Sequence, residues 1–173
     1  LTTPATIFIP AGTYLFNSSE SDVIAMVTLV PNVTIQGEGW QSKIEIGNGV
    51  LGVKNIFSYP YGSSTKFGTL VFKDFYCNLN GQNNLRGPSD PARNNALINA
   101  ANFTNVIISN IKAENAPGNQ VFWIHGPDTT NGKSSATVTD CDIHTVGASI
   151  VGNTNSDHTS SYLTANYCYQ YRN

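Results

Sequence analysis

Hydrophobic and polar residues alternate along most of the chain in runs of a few positions, which predicts short β-strands. No long window shows the 3.6-residue apolar stripe of an amphipathic helix. Four segments share one pattern, in which two alternating runs flank a single Asn or Asp. These central residues are Asp74, Asn110, Asp140 and Asn166, spaced 36, 30 and 26 residues apart. A weaker fifth copy, Val33–Gly37, precedes the first of them by 37 residues.

Asn and Asp tolerate the left-handed backbone region, and their side chains satisfy nearby backbone groups. Each central residue is therefore predicted to turn the chain sharply between two strands. Further strand-like runs occupy residues 95–100, 120–125 and 148–151, which gives about three short strands per repeat. A repeat that cannot bury its apolar face alone must stack on its neighbours. The pattern favours an all-β solenoid, a parallel β-helix of about five coils, over an antiparallel β-sandwich, which gives no reason for the Asn/Asp register.

The alternation also predicts which side chains face the core. With the central residue as position zero, positions −4, −2, +1 and +3 are predicted to point inward. The inward residues are Leu70, Phe72, Phe75, Cys77, Val106, Ile108, Ile111, Ala113, Ala136, Val138, Cys141, Ile143, Tyr162, Thr164, Tyr167 and Tyr169. An outward apolar column of Val71, Ile107 and Leu163 would suit a subunit interface, because exposed apolar patches usually have a partner.

Two further outward columns contain charged residues. Stacking places Lys112 beside Asp142 and Glu114 beside His144, one strand spacing apart. Carboxylates with a cation and an imidazole are the groups that acid–base catalysis uses, so these four are candidate catalytic residues. The alternative is a charged surface in which opposite charges on neighbouring strands stabilise the sheet by roughly 0.2–1 kcal/mol each.

Candidate substrate-binding residues lie outside these columns. If Trp123 and His125 face solvent, the indole offers a flat apolar face on which a sugar ring can stack. The opposite parity would place Trp123 in the core. Asp128 follows in the next loop, and Arg93 lies in a long insertion that is either a groove wall or a solvated loop.

Composition excludes several classes of protein. Charged residues make up 12% of the chain, and the 9 Lys+Arg residues are scattered, so nucleic-acid binding is not expected. No apolar run approaches the ~20 residues of a membrane-spanning helix. The 3 Cys residues form no CxxC pair, and the spacing of Cys and His fits no zinc site. We expect no cofactor and no intrachain disulfide.

Two sequence segments carry a family resemblance. TIFIPAGTYLF at 6–16 and VTIQGEGW at 33–40, followed by IEI at 44–46, resemble the opening of pectate-lyase-like right-handed β-helix domains. Such domains occur in pectate lyases, related glycoside hydrolases and bacteriophage tailspikes. The resemblance implies a right-handed β-helix in which single-residue Asn turns stack into a ladder. The N-terminal helical cap of the family is missing, and its lyase motif of closely placed Asp residues with a catalytic Arg is not recognisable.

The resemblance implies an extracellular protein that binds or degrades a polysaccharide, with residues 1–173 forming one β-helix segment of a longer chain. A hydrolase would use two carboxylates, Glu114 and Asp142. A lyase would use a base and a cation from Lys112, His144 and Arg93, and such an enzyme can bind Ca²⁺. The alternative is a non-catalytic structural or receptor-binding β-helix of a virion tail, and proteins of that kind are usually homotrimers.

Overall fold

A computed structural model of the chain describes residues 4–17, 23–26, 32–50, 55–58, 67–81, 83, 96–101, 103–116, 120–125, 135–145, 149–152, 162–166 and 169–172. Arg93 and Asp128 lie outside these residues. The strands are β1 Ala5–Ile9, β2 Gly12–Phe16, β3 Val23–Met26, β4 Val33–Gly37, β5 Ser42–Ile46, β6 Asn55–Ser58, β7 Phe67–Asn78, β8 Ala96–Ala101, β9 Phe103–Ala116, β10 Gln120–His125, β11 Ser135–Thr139, β12 Asp142–Thr145, β13 Ser149–Gly152, β14 Tyr162–Asn166 and β15 Tyr169–Arg172. A 3₁₀ helix, Gly39–Gln41, separates β4 from β5.

The described strands form two sheets in which every pairing is parallel. The first sheet contains the run β1-β4-β7-β9-β11-β14, and a second run of β2, β5, β12 and β15 joins it through the long strands β7 and β9. The second sheet has the order β13-β10-β8-β6-β3. Each repeat up to β13 therefore contributes one strand to each of three stacks, since β7 and β9 each span two, and β14 and β15 extend two of the stacks. This arrangement confirms the all-β parallel β-helix.

The predicted single-residue turns have the expected backbone conformation in three repeats. Asp74, Asn110 and Asp140 have φ angles of 65°, 52° and 54°, in the left-handed region. Asn110 Nδ2 donates a hydrogen bond of 2.8 Å to Asp74 Oδ1 on the preceding coil. Side-chain bonding along the stack thus accompanies the left-handed turn, as the ladder prediction required.

The prediction for the fourth repeat is wrong by one residue. Strand β14 pairs with β11 so that Thr139, not Asp140, is the partner of Asn166. Leu163 is consequently the partner of Ala136 in the inward column and does not continue the outward column of Val71 and Ile107. The error arose because Tyr162 and Leu163 are adjacent large residues, so a register that placed either of them inward gave a plausible apolar pattern.

The weak first copy shares the strand register of the other repeats if the residues that the 3₁₀ helix adds after Gly37 are treated as an insertion. Gly37 occupies the position below Asp74, where a Cβ would collide with the Asp74 carbonyl and the Ser42 side chain. Glu38, which the simple alternation placed inward, is exposed because the 3₁₀ helix adds residues after Gly37. Ser42 takes the inward position instead and is fully buried, donating its hydroxyl to the Ile9 carbonyl at 2.8 Å.

The core lies between the two sheets and confirms the inward prediction for the three described repeats. All twelve predicted inward residues from Leu70 to Ile143 are buried. Phe57 of the second sheet packs edge-on against Phe72 of the first, with ring centroids 5.1 Å apart. Cys77 and Cys141 are buried in different columns, and no disulfide joins them. Tyr162, Thr164 and Tyr169 are described only as backbone, and Tyr167 lies outside the described residues.

Candidate functional site

Polar and charged side chains cover the outward face of β5, β7, β9 and β12. They occur there because the alternate residues of the same strands, such as Ile44, Cys77, Ala113 and Ile143, are buried. We call this surface the charged wall and define it by Lys43, Glu45, Tyr76, Asn78, Lys112, Glu114, Asp142 and His144.

The strand register sets the order of residues across the charged wall. One row runs from Lys43 through Tyr76 and Lys112 to Asp142, each the partner of the next. The pairing of Lys112 with Asp142 is the one that the sequence predicted. The register shifts between Ile143 and Thr145. The regular pairing that the sequence predicted for Glu114 and His144 is therefore interrupted, although the charge of His144 still acts on Glu114.

Glu114 is the centre of the polar contacts. Its Oε2 accepts a hydrogen bond of 2.8 Å from the Tyr76 hydroxyl, and Lys112 Nζ lies 3.0 Å from its Oε1. Partial burial opposes ionisation of this carboxyl, but the hydrogen bonds from Tyr76 and Lys112 and the charges of Lys112 and His144 outweigh it. The pKa of Glu114 is therefore lowered from its ordinary value. Glu114 is an ionised acceptor at neutral pH.

Tyr76 has the opposite perturbation. Burial, followed by its hydrogen bond to the ionised Glu114 and the charge of that carboxylate, raises the pKa of the Tyr76 phenol well above its ordinary value. Tyr76 therefore stays protonated throughout the physiological range and keeps donating to Glu114.

Asp142 and His144 form a second polar pair on β12. Their side chains project from the same face, and His144 Nε2 lies 3.0 Å from Asp142 Oδ1. A carboxylate that holds one imidazole nitrogen fixes the orientation and tautomer of the ring, an arrangement that imidazoles acting in proton transfer often have. All four predicted catalytic residues therefore lie on the charged wall.

Trp40 is a neighbour of the wall that the sequence analysis did not select. Its side chain is 43% exposed, and Lys112 Nζ lies 5.7 Å from its ring centroid. The indole Nε1–H donates to the Asn110 carbonyl at 3.2 Å, across 70 residues of sequence. The only sequence signal was the position of Trp40 at the end of the VTIQGEGW segment, and the structure places it within the 3₁₀ helix. An exposed indole beside polar groups suits stacking against a sugar ring.

Two of the four predicted binding residues lie on the other sheet. Trp123 and His125 belong to β10, where their backbone partners on β8 are Asn99 and Ala101. Their side chains are not among those that the structure describes, so their binding role stays a prediction. The described binding candidates and the catalytic candidates are therefore on different sheets.

Two further observations concern metals and membranes. Among the described residues, no three His, Cys, Asp or Glu side chains are grouped as a metal site requires. The same residues contain no helix with the length and apolarity of a membrane-spanning segment.

Comparison with known proteins gives one match. The family model described as rhamnogalacturonase A/epimerase, pectate lyase-like, matches residues 1–171. No curated protein and no solved structure matches the chain significantly.

Proposed function

The chain belongs to the pectate lyase-like rhamnogalacturonase A/epimerase family, and from this premise we propose that it is an extracellular enzyme that binds and processes a polysaccharide at the charged wall. The observation that carries the proposal is the ionised Glu114 held by Tyr76 and Lys112. The Asp142–His144 pair lies on the neighbouring strand. Acid–base groups on a rigid sheet meet the geometric requirement for proton transfer to a bound substrate.

A lyase-type reaction fits these groups best. His144, oriented by Asp142, removes the proton next to a uronate carboxylate, and Lys112 stabilises the negative charge that develops there. The bond to the glycosidic oxygen then breaks, a carbon–carbon double bond forms, and the leaving oxygen takes a proton from water. Glu114 keeps the Lys112 ammonium on the wall.

A hydrolase is less well supported by the same groups. Hydrolysis needs one carboxylic acid that is protonated and gives its proton to the leaving oxygen. The lowered pKa of Glu114 opposes that role and leaves Glu114 only as nucleophile or base. Trp40 serves either reaction by stacking against a sugar ring beside Lys112.

A non-catalytic role has one observation in its favour. Ile107 is 38% exposed on the outward face of β9, next to Val71 on β7. An apolar strip of this kind suits contact with other copies in a trimeric tail shaft. In such a shaft the charged wall would have no catalytic role and would be only a hydrated surface.

The test is incubation of the full chain with polygalacturonate, rhamnogalacturonan, alginate and xylan. A lyase produces both new reducing ends and ultraviolet-absorbing unsaturated products, whereas a hydrolase produces reducing ends alone. The proposal expects both signals on a uronate-containing polymer. The absence of both signals on all four polymers would contradict it and favour the structural role.

A further inference from the structure

An open cleft of about 500 Å³ adjoins the charged wall where β2, β5 and β7 end. Its lining combines one carboxylate and several carboxamides with apolar groups. The lining residues are Leu15, Asn17, Glu45, Ile46, Gly47, Asn48, Asn78 and Asn80. The lining residues that the structure describes include no Lys or Arg, so this part of the cleft differs in charge from the Lys112 region of the wall.

Asn80 organises the carboxamides of the cleft. It is buried, with a φ of 52°, and its Nδ2 donates to the Ile46 carbonyl at 2.9 Å and to Asn48 Oδ1 at 2.8 Å. Its backbone N–H donates to Asn78 Oδ1 at 2.9 Å. Asn115 Nδ2 donates to the same Asn78 oxygen at 3.1 Å. The side-chain oxygens of Asn48 and Asn78 are thus held by hydrogen bonds within the protein.

A carboxamide is planar, with two donors opposite its acceptor. Because the oxygens of Asn48 and Asn78 are bonded to Asn80, their NH₂ groups are the ends left for a ligand. No hydrogen bond between described residues uses either NH₂ group. The cleft therefore presents two donors that are fixed in place before a ligand binds.

Glu45 supplies the acceptor and connects the cleft to the wall. Its strand partner is Asn78, and the partner of Asn78 on the next strand is Glu114. Neighbouring strands lie about 4.8 Å apart, so these three side chains form a continuous row along the stack.

Apolar and small residues complete the cleft. The Leu15 side chain is 54% exposed and offers an apolar surface beside the polar groups. A Cβ at Gly47 would collide with Asn17 Oδ1, so glycine at this position lets the Asn17 carboxamide approach β5 closely. Binding sites for small ligands typically combine such apolar surface with a few fixed polar groups.

We propose that this cleft is a binding subsite for a neutral sugar unit. Sugar hydroxyls donate to the Glu45 carboxylate and accept from the NH₂ groups of Asn48 and Asn78, while a C–H face of the ring lies on Leu15. The Glu45 charge, with no Lys or Arg among the described lining residues, disfavours a uronate in the same place. This subsite proposal rests on the proposed function, because the choice of a saccharide as the ligand comes from it.

The test is isothermal titration calorimetry of the full chain with cellotetraose, xylotetraose and β-1,4-galactotetraose. At least one of these neutral probes is expected to bind. Asn48→Asp keeps the oxygen that Asn80 needs and removes the NH₂ donor, and Glu45→Gln removes the charged acceptor. Each is expected to weaken binding about tenfold or more, as the loss of a hydrogen bond to a fixed or charged group does.

Asn105→Asp is the matched control, since it adds the same charge at an exposed residue of the same sheet and keeps the oxygen that accepts from Ser135. It is expected to leave the affinity unchanged. The subsite proposal is overturned if none of the three probes binds at millimolar concentration, or if both cleft variants keep the affinity of the unaltered chain. Turnover assays separate the two proposals, because cleft binding without turnover would contradict only the proposed enzyme activity.

Discussion

The Tyr76 hydroxyl donates a hydrogen bond of 2.8 Å to Glu114 Oε2, joining β7 to β9 across the outward face of the sheet. The two pKa shifts on the charged wall are coupled through this bond. It lowers the pKa of Glu114 and raises the pKa of Tyr76. At neutral pH, Glu114 therefore stays ionised and Tyr76 stays protonated as its hydrogen-bond donor.

Removal of the Tyr76 hydroxyl tests this coupling. In Tyr76→Phe the pKa of Glu114 is expected to rise towards its ordinary value, because one of the hydrogen bonds that favour the carboxylate is lost. Carboxyl carbon NMR titration of Glu114 measures the change. Tyr14→Phe is the control, since the exposed Tyr14 hydroxyl bonds the Pro10 carbonyl instead. If the titration midpoint of Glu114 is unchanged in Tyr76→Phe, the hydrogen bond from Tyr76 does not control the ionisation of Glu114.

The same shift predicts how stability depends on pH. Because the pKa of Glu114 is lower in the folded state, its ionised form stabilises the fold above the ordinary carboxyl pKa. That contribution is lost as the pH falls through the lowered folded-state value. Urea unfolding should therefore show a gap between the original chain and Glu114→Gln at neutral pH that narrows in acid. A gap that stays constant or widens in acid would contradict the sign of the shift.

Asn110→Ala tests the turn ladder. Alanine in the left-handed region costs roughly 1–2 kcal/mol, and the substitution also removes the bond to Asp74, for a further ~1 kcal/mol. Asn110→Gly removes only the bond and is expected to lose about half as much in urea unfolding. Equal losses for the two variants would mean that backbone conformation at this turn contributes nothing. Asn131, the loop position that the sequence suggests for comparison, lies outside the described residues.

The fold was predictable where local pattern and turn chemistry agreed. Asp74, Asn110 and Asp140 each stand between two clearly alternating runs, so one choice of register satisfied both. The fourth repeat failed because its aromatic residues suited two registers, and only the backbone pairing of Asn166 with Thr139 decides between them. The insertion after Gly37 could not be predicted because the 3₁₀ helix has no apolar period.

Alanine substitutions at Gly37 and Gly39 distinguish a steric clash of the added Cβ from the cost of a left-handed backbone conformation. Gly37→Ala would force a Cβ into the Asp74 backbone and the Ser42 side chain, and overpacking of this kind costs about 1–3 kcal/mol or more. Gly39 has a φ of 68° with open space around its Cβ position, so Gly39→Ala is expected to cost only the roughly 1–2 kcal/mol of the left-handed conformation. Chemical unfolding compares the two, and a larger loss for Gly39→Ala would contradict the close stacking at Gly37.

The candidate site was predictable only in part. Stacking places Lys112 beside Asp142, which follows from strand spacing alone. The contacts of Trp40 with Asn110 and Lys112 depend on how the 3₁₀ helix folds over the next coils, which no alternation pattern encodes. Tyr76 stood in the outward column, but its hydrogen bond to Glu114 depends on side-chain conformation.

The most direct test of the account is the rate of polysaccharide processing by Glu114→Gln and Asp142→Asn, compared with Asp140→Asn. The control removes the same charge at an exposed turn, where Asn is as well tolerated as at Asn110. The two Asp variants change exposed or half-buried positions, where stability usually shifts by no more than ~0.5 kcal/mol. Glu114→Gln also loses the stabilisation of the ionised carboxylate, so the rates are compared at a temperature at which all three variants are folded.

The account predicts that kcat/KM on the processed polymer falls about 10²–10⁴-fold in the two wall variants and stays near the original value in Asp140→Asn. Full activity in both wall variants would contradict the assignment of catalysis to the charged wall.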